Sequence, residues 1–197
     1  DLLRLDHFRG LAGYWRVNGN SKTAISGKWI NSPGRTLLNK LKIDLGKDFL
    51  PIIAEDLGVI TPDVEKLRKN FELPGMKILQ FAFDGNEDNP YLPKNIEGEN
   101  WVVYTGTHDN STCISWWECL ENNAKKRIKD EYKFSENPSW SLIKIGMDTT
   151  ANLFITPIQD ILSLDDSSRL NIPGTTKNNW KWQLNRPLEE VEDNIMR

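Results

Sequence analysis

Three short segments of the 197-residue sequence each place an acidic side chain at the end of a run that contains apolar residues. Arg4 and Asp6 lie two positions apart in the first segment, Glu55 ends the second, and His108 precedes Asp109 in the third. Carboxyl groups serve enzymes as nucleophiles and as proton donors or acceptors. The pattern therefore predicts a catalytic site, whereas an ordinary ion pair, a loop-fixing carboxylate and a turn are the structural alternatives.

The surroundings of each acid favour a different role. Residues two apart on a strand share a face, so the Arg4 guanidinium would keep Asp6 ionised, as a nucleophile requires. Glu55 follows a continuous apolar run, and a carboxyl group among apolar neighbours tends to keep its proton, as a general acid requires. His108 and Asp109 could hold neighbouring hydroxyl groups of a sugar. Acids in these three roles would suit retaining glycosyl transfer.

These acids need a scaffold that brings distant segments together, and the sequence alternates short apolar runs with helical patterns. Thr61 and Pro62 begin a helix in which Val64, Leu67 and Phe71 recur at helical spacing. We predict strands over residues 2–8, 49–54, 77–83, 101–104 and 152–158, and further helices around 116–120 with a charged extension over 122–132, and over 139–150.

This alternation of strands and helices predicts an α/β fold with a parallel sheet. Asp6, Glu55 and Asp109 would then stand at the carboxyl ends of different strands, which is typical of the catalytic face of a (β/α)8 barrel. A doubly wound sheet also binds ligands there, but it usually carries a glycine-rich phosphate loop, and the sequence contains none. The barrel is therefore favoured, with a mostly irregular tail from Ile161 onward.

The composition excludes several other classes of protein. The chain has 38% hydrophobic and 27% charged residues and a net charge of −3, which argues for a globular core and against a nucleic-acid partner. No run of about 18 apolar residues is present, so no membrane span is predicted. His7 and His108 lie far apart without a nearby cysteine, so we expect no metal site. We expect Cys113 and Cys119 to be reduced thiols in the core, which favours the cytoplasm.

Several motifs, in order along almost the whole chain, resemble those of 4-α-glucanotransferases of the amylomaltase (disproportionating enzyme) family. They are RLDHFRG (4–10), IIAEDLGVITP (52–62), LPGMKILQFAFD (73–84) and YTGTHDN (104–110), followed by QDIL (159–162), RLNIPGT (169–175) and NWKW (179–182). The resemblance implies a (β/α)8 barrel that needs no cofactor and moves segments of α-1,4-linked glucan between maltooligosaccharides.

The resemblance also implies roles for individual residues. Asp6 would be the nucleophile with Arg4 as its hydrogen-bonding partner, and Glu55 would be the general acid and base of a double displacement. Asp109 would stabilise the distorted donor sugar, with His108 beside it.

Two further roles follow from the resemblance. Phe81 would be a platform on the acceptor side, although a phenylalanine on a parallel strand is otherwise a core residue, and Asn171 would be a further contact to sugar.

Family members are longer than this chain, and their nucleophile segment lies near the fourth barrel strand. The resemblance therefore implies that residues 1–197 are the C-terminal part of the catalytic domain, with roughly strands four to eight. Two alternatives stay open: an α-glucan hydrolase that uses the same carboxylates, and a catalytically inert glucan-binding fragment. We expect a cytoplasmic protein, or a plastid protein if the source is a plant or an alga.

Overall fold

A computed structural model describes residues 1–185 and 187 of the chain as an α/β structure. The strands are β1 (Leu3–Leu5), β2 (Gly13–Val17), β3 (Gly27–Asn31), β4 (Ile52–Ala54), β5 (Gly75–Ile78), β6 (Trp101–Tyr104) and β7 (Leu153–Ile155). The helices are α1 (Arg9–Ala12), α2 (Gly34–Leu45), α3 (Pro62–Asn70), α4 (Cys113–Cys119), α5 (Asn122–Tyr132), α6 (Pro138–Met147) and α7 (Ile158–Ile161).

The chain divides into two compact units. The first comprises residues 1–76 with 100–102, and the second comprises residues 77–99 and the chain from residue 103 onward. None of the helices within the described part of the chain is both long and apolar enough to cross a membrane.

In the first unit, β1 and β4 form a parallel pair in which Arg4 lies opposite Ile53. All three residues of β4 are buried, as the continuous apolar run predicts. The predicted helix that follows is α3, which begins with Pro62 in its first turn and buries Val64 and Leu67. These side chains join Ile52 in the core of this unit, so the helix packs over the strand that precedes it.

An antiparallel hairpin, β2 with β3, and the helix α2 lie in a region for which the sequence predicted no element. Trp15 and Trp29 are directly opposite in the hairpin, and their rings meet edge to face with centroids 5.6 Å apart. Both rings are exposed. The hairpin therefore has no buried face, and its sequence lacks the alternation of apolar and polar residues by which such a face is predicted. The chain is therefore not a simple alternation of parallel strands and helices.

A three-stranded sheet has the order β5–β6–β7. The strand predicted over residues 77–83 is wrong in its limits, because β5 ends at Ile78 and a 3-10 helix follows over Leu79–Phe81. The strand predicted over 152–158 is shorter, and its end forms part of α7.

The helical segments of the second unit also differ in detail from the prediction. The helix around 116–120 and its charged extension are two helices, because Leu120 and Glu121 are both extended, with ψ angles of 145° and 149°. The helix predicted over 139–150 is α6, which begins one residue earlier, and Asn137 caps it by accepting a hydrogen bond from the Trp140 amide. From Ile161 to residue 185, the last of the continuously described residues, the chain is mostly irregular apart from a short 3-10 turn at Asp166–Ser168.

Candidate active site

Asp6 lies in the turn directly after β1, with its side chain paired to Arg4. The Arg4 Nη2 atom donates to the Asp6 Oδ1 atom over 2.5 Å. The Asp6 side chain is 76% exposed, whereas that of Arg4 is 26% exposed. The strand predicted over 2–8 is thus wrong in its limits, because β1 ends at Leu5, but the spacing of two residues still brings the guanidinium beside a carboxylate that stays accessible to a ligand.

Glu55 follows β4 just as Asp6 follows β1, because Leu5 and Ala54 are register partners in the parallel pair. Its Oε2 atom accepts a hydrogen bond from the His7 amide over 2.7 Å, and its Oε1 atom accepts one from the Leu57 amide over 3.0 Å. The side chain therefore has both oxygens held by the backbone, and this fixes the orientation of the carboxyl group. The loop-fixing interpretation of Glu55 describes these contacts correctly, and it leaves a chemical role open.

His7 has a φ angle of 48°, which is rare for a residue with a side chain. Its amide is the one that donates to Glu55. The Glu55 carboxylate, which follows β4, thus stabilises the strained backbone of the turn after β1.

A buried ion pair anchors the segment after Glu55. The Arg68 Nε atom lies 3.1 Å from the Asp56 Oδ2 atom, and the Asp56 Oδ1 atom accepts a hydrogen bond from the Met76 amide. The Arg68 guanidinium also stacks over the Trp101 ring at 4.3 Å. A side chain at Gly75 would overlap the Asp56 carboxylate, so this glycine allows the close approach.

In the second unit, the loop after β6 brings together three of the predicted residues. The Asn171 Nδ2 atom donates to the Asp109 Oδ1 atom over 2.6 Å, and the His108 Nε2 atom lies 3.4 Å from the same oxygen. The exposed Trp180 ring lies beside the His108 ring with centroids 5.2 Å apart. The aromatic ring and the polar groups together form a surface suited to a sugar, whose faces are apolar and whose edges carry hydroxyl groups.

The turn interpretation of this loop is also correct. The Asn110 Oδ1 atom accepts hydrogen bonds from both the amide and the hydroxyl of Thr107 over 2.9 Å. This closure between Thr107 and Asn110 leaves the Asp109 carboxylate free to contact Asn171.

Beneath the loop lies a buried carboxylate, Asp160. Its Oδ1 atom accepts from the Cys113 amide and its Oδ2 atom accepts from the Thr105 hydroxyl, each over 2.7 Å. Loss of solvent raises the pKa of the Asp160 carboxyl, and burial also raises the pKa of the Cys113 thiol. Cys113 is thus a buried thiol, as expected, but the core position expected for Cys119 is wrong because that residue is exposed.

Phe81 ends the 3-10 helix after β5 and is 43% exposed. Its ring meets Tyr91 edge to face with centroids 5.6 Å apart. The core interpretation of Phe81 is therefore wrong, because the strand ends before this residue and the ring turns to the surface. An exposed ring held by a second aromatic ring is compatible with a sugar platform.

The predicted residues form two groups, one in each unit. Arg4, Asp6 and Glu55 belong to the first unit, and the others, Phe81, His108, Asp109 and Asn171, belong to the second. Within the residues that the structure describes, no cluster of three or more His, Cys, Asp or Glu side chains is placed to hold a metal ion.

A family model described as 4-alpha-glucanotransferase matches residues 1–189 of the chain. The chain belongs to this 4-alpha-glucanotransferase family. The family that the motifs resemble is thus confirmed.

Similar proteins agree with this assignment. The 4-alpha-glucanotransferase of Synechocystis sp. is 46% identical over 185 residues, which are 93% of this chain and 36% of that protein. The chloroplastic/amyloplastic 4-alpha-glucanotransferase of Solanum tuberosum is 46% identical over 197 residues, which are 99% of this chain and 33% of that protein. The chain thus spans about a third of the length of the curated relatives it matches.

A solved structure has the same fold. The amylomaltase from Streptococcus agalactiae, in complex with acarbose, superposes with a TM-score of 0.88 and 35% sequence identity. The match covers 98% of this chain and 39% of the amylomaltase. The α/β fold with parallel strands is therefore that of the corresponding part of an amylomaltase.

Two residues of this 4-alpha-glucanotransferase family member were not singled out by the sequence, although both lie in quoted motifs. Trp180 contacts His108, and Arg169 donates to the Asp109 carbonyl. Their motifs follow the last strand by more than ten residues, so no strand-end pattern pointed to them. The available signal was that Arg169 is the one charged residue of RLNIPGT and that NWKW carries two tryptophans.

Proposed function

We propose that this chain carries the reacting carboxylates of a 4-α-glucanotransferase, which transfers α-1,4-glucan segments between maltooligosaccharides. The observation that supports this most strongly is the parallel pair of β1 and β4. It presents Asp6 and Glu55 after the carboxyl ends of neighbouring strands, with Arg4 on Asp6. Family membership adds that the relatives at 46% identity are named for this activity.

The reaction is a retaining double displacement. Asp6 attacks the anomeric carbon of the donor, while Glu55 gives its proton to the glycosidic oxygen of the departing glucan. A covalent glycosyl–Asp6 ester forms as the glycosidic bond breaks. Glu55 then takes the proton from a hydroxyl group of the acceptor glucan, which attacks the same carbon and releases Asp6.

The exposure and contacts of the two acids suit these roles. Asp6 is largely exposed, so it can approach a sugar carbon, and the Arg4 guanidinium pairs with it on one side. Glu55 is held by two amides, so its carboxyl group keeps one direction through both proton transfers. Retention requires the two carboxyl groups to lie about 5–5.5 Å apart when substrate is bound.

The residues of the second unit would bind the sugars. Asp109 would stabilise the distorted donor sugar, and His108 and Asn171, which contact its carboxylate, would add hydrogen bonds to hydroxyl groups. Phe81 would provide an exposed ring on the acceptor side. No cofactor enters this scheme, because both steps are proton and glycosyl transfers between carboxyl groups and sugars.

We further propose that β1, β4, β5, β6 and β7 are strands four to eight of a (β/α)8 barrel and that residues 1–197 are the C-terminal part of that catalytic domain. A backbone hydrogen bond from the Ala54 amide to the Pro74 carbonyl over 2.8 Å extends the pairing from β4 toward β5, and the order β5–β6–β7 continues it. The β2–β3 hairpin and α2 would form an insertion between the fourth and fifth barrel strands. Residues 186 and 188–197 lie outside the described part of the chain.

The partners in this scheme are maltooligosaccharides and α-1,4-glucans, and neither a nucleic acid nor a membrane has a part in it. The acidic balance of the chain gives no general attraction to phosphates. The compartment that fits is the cytoplasm, or a plastid for a plant or algal source, as the name of the Solanum tuberosum relative illustrates.

A product assay on maltotriose tests the proposal. The enzyme is a full-length hybrid in which this chain replaces the matched region of the Synechocystis relative, and the unaltered relative is the control for assay conditions. Transfer yields glucose together with oligomers longer than maltotriose. Steady shortening without longer oligomers would support the hydrolase alternative, and no turnover by a folded hybrid would support the inert glucan-binding alternative.

A further inference from the structure

We propose that Arg169 is a positioning residue for glucan transfer, which holds Asp109 and Asn171 in a single arrangement against the donor sugar. The inference rests on the proposed function and deepens it, because it names the residue that fixes the position of the Asp109 carboxylate. All the contacts that carry it lie in the second unit.

Arg169 joins two segments of the chain with three different nitrogen atoms. The Nη2 atom donates to the Asp109 carbonyl over 2.6 Å, and the Nη1 atom donates to the Ser111 hydroxyl over 3.1 Å. The Nε atom donates to the Asn171 carbonyl over 2.8 Å. A planar guanidinium can reach such divergent acceptors at once, whereas a lysine ammonium on its flexible stem cannot hold the same fork.

A second carboxylate holds the guanidinium in place. The Asp166 Oδ2 atom lies 3.4 Å from the Arg169 Nη1 atom, and the Asp166 Oδ1 atom accepts a hydrogen bond from the Thr112 amide over 2.8 Å. The Asp166 amide donates in turn to the Ser115 hydroxyl in α4. The Arg169 side chain is thus mostly buried, and its guanidinium contacts the Asp166 carboxylate as well as its three acceptors. The orientation of the guanidinium therefore does not depend on a bound ligand.

The consequence concerns Asp109 and its partner. The Asn171 amide group touches the Asp109 carboxylate directly, while Arg169 fixes the backbone of both residues. Without the guanidinium, the carboxylate would be held by its side-chain contacts with Asn171 and His108, and the backbone beneath it would be less fixed. Misplacement of a positioning group by about 1 Å can cost about a hundredfold in rate.

The test compares Arg169→Met and Arg169→Lys in the full-length hybrid, with Arg127→Met as the matched control. Arg127 also donates to a backbone carbonyl, that of Phe83, away from the Asp109 loop. We expect Arg169→Met to lower kcat by roughly tenfold to a hundredfold with a smaller change in KM, and Arg169→Lys to restore little of it. Arg127→Met should leave kcat unchanged. Thermal melting of each variant checks the fold, and Arg169→Lys carries the comparison if Arg169→Met does not fold.

The decisive readout is the same substitution in an Asp109→Asn background. Groups that act through one residue are non-additive, so Arg169→Met should cost almost nothing once Asp109 has lost its charge. Equal losses in both backgrounds, or no loss in either, would overturn the inference. If Asp109→Asn itself keeps full activity, the role proposed for Asp109 is wrong. The variants are assayed with α-maltosyl fluoride as donor. Its leaving group needs no proton, so the low activities of the Asp109 variants stay measurable.

Discussion

At the scale of single residues, the two acids that we propose to react differ in how they are held. Asp6 has a charged partner and an open side, whereas both oxygens of Glu55 accept hydrogen bonds from amides. A nucleophile must move toward carbon, and a proton donor must keep its direction. These contacts are compatible with the roles that we propose for the two acids.

Asp6→Ala should remove nearly all glucan transfer by the full-length hybrid, because Asp6 is the group that we propose to form the covalent intermediate. Asp44→Ala is the matched control, since Asp44 forms an exposed ion pair with Lys40 on α2, and such pairs contribute little. The measurement is the initial rate of maltotriose disproportionation. A variant at Asp6 with a rate close to that of the Asp44 control would contradict the assignment.

Asp160 predicts a specific dependence of stability on pH. Desolvation raises the pKa of the Asp160 carboxyl in the folded protein above the ordinary value of 3.8. The stability that this gives is fully present below 3.8 and is lost as the pH rises through the raised pKa. Asp160→Asn keeps an acceptor for the Cys113 amide and removes the titration.

We therefore expect the free energy of unfolding of the wild type, relative to Asp160→Asn, to decrease as the pH rises from about 4 to 7. Urea unfolding at a series of pH values measures it. The control is Asp165→Asn, because a hydrogen bond from Ser167 lowers the pKa of Asp165 and its stabilisation is lost as the pH falls. Parallel pH profiles for wild type and Asp160→Asn would show that burial does not disfavour this charge.

At the scale of elements, the close approach of α1 and α2 depends on one glycine. A Cβ atom on Gly34 would overlap the Leu11 carbonyl oxygen, which is backbone and cannot turn away. Gly34→Ala should therefore destabilise the chain by about 1–3 kcal/mol, as overpacking usually does. Gly19→Ala is the control, because nothing lies within 4 Å of that position. Equal urea midpoints for the two variants would contradict the packing.

Local patterns in the sequence predicted some elements correctly and missed others for physical reasons. The buried run of β4 and the start of α3 at Pro62 carry strong signals. The helix begins where it was expected, although Thr61 makes no side-chain cap, and β4 covers only the end of the strand predicted over 49–54. The β2–β3 hairpin was missed because its residues are exposed and lack a buried alternation. Strands whose ends are set by tertiary packing, such as β5, were placed with wrong limits.

The candidate site was predictable to a similar degree. The pairing of Arg4 with Asp6 follows from strand alternation, and Asn171 came from a motif rather than from spacing. Arg169 is different, because its contacts run over about sixty residues of sequence to Asp109 and Ser111. Such long-range contacts leave no periodic trace, so only the structure reveals them.

At the scale of the whole molecule, β1 is paired on one side, by β4, among the residues that the structure describes. The other edge of β1 is unpaired among these residues. Asp6 lies in the turn that follows this strand, and the nearby Leu2 and Leu3 are exposed. An open strand edge with apolar side chains favours association with another strand. The relatives are about three times as long, and their remaining part is the natural candidate to cover this edge.

We therefore expect the 197-residue chain alone to self-associate and to show little disproportionation of maltotriose. Co-expression with the remaining part of the Synechocystis relative should restore activity and yield a complex of the two polypeptides. Size-exclusion chromatography and product analysis measure both effects. A monomeric chain with full transferase turnover would show that strands β1 and β4 to β7 suffice.

The most direct test of the central claim is to trap the covalent intermediate on Asp6. In the full-length hybrid with Glu55→Gln, α-maltosyl fluoride should still react, because fluoride leaves without a proton, and the missing base should slow release. Mass spectrometry of the digested protein should find one maltosyl group on the peptide that contains Asp6. A maltosyl group on another residue, or turnover of the fluoride with no covalent adduct and no loss relative to the unsubstituted hybrid, would contradict the double displacement through Asp6 and Glu55.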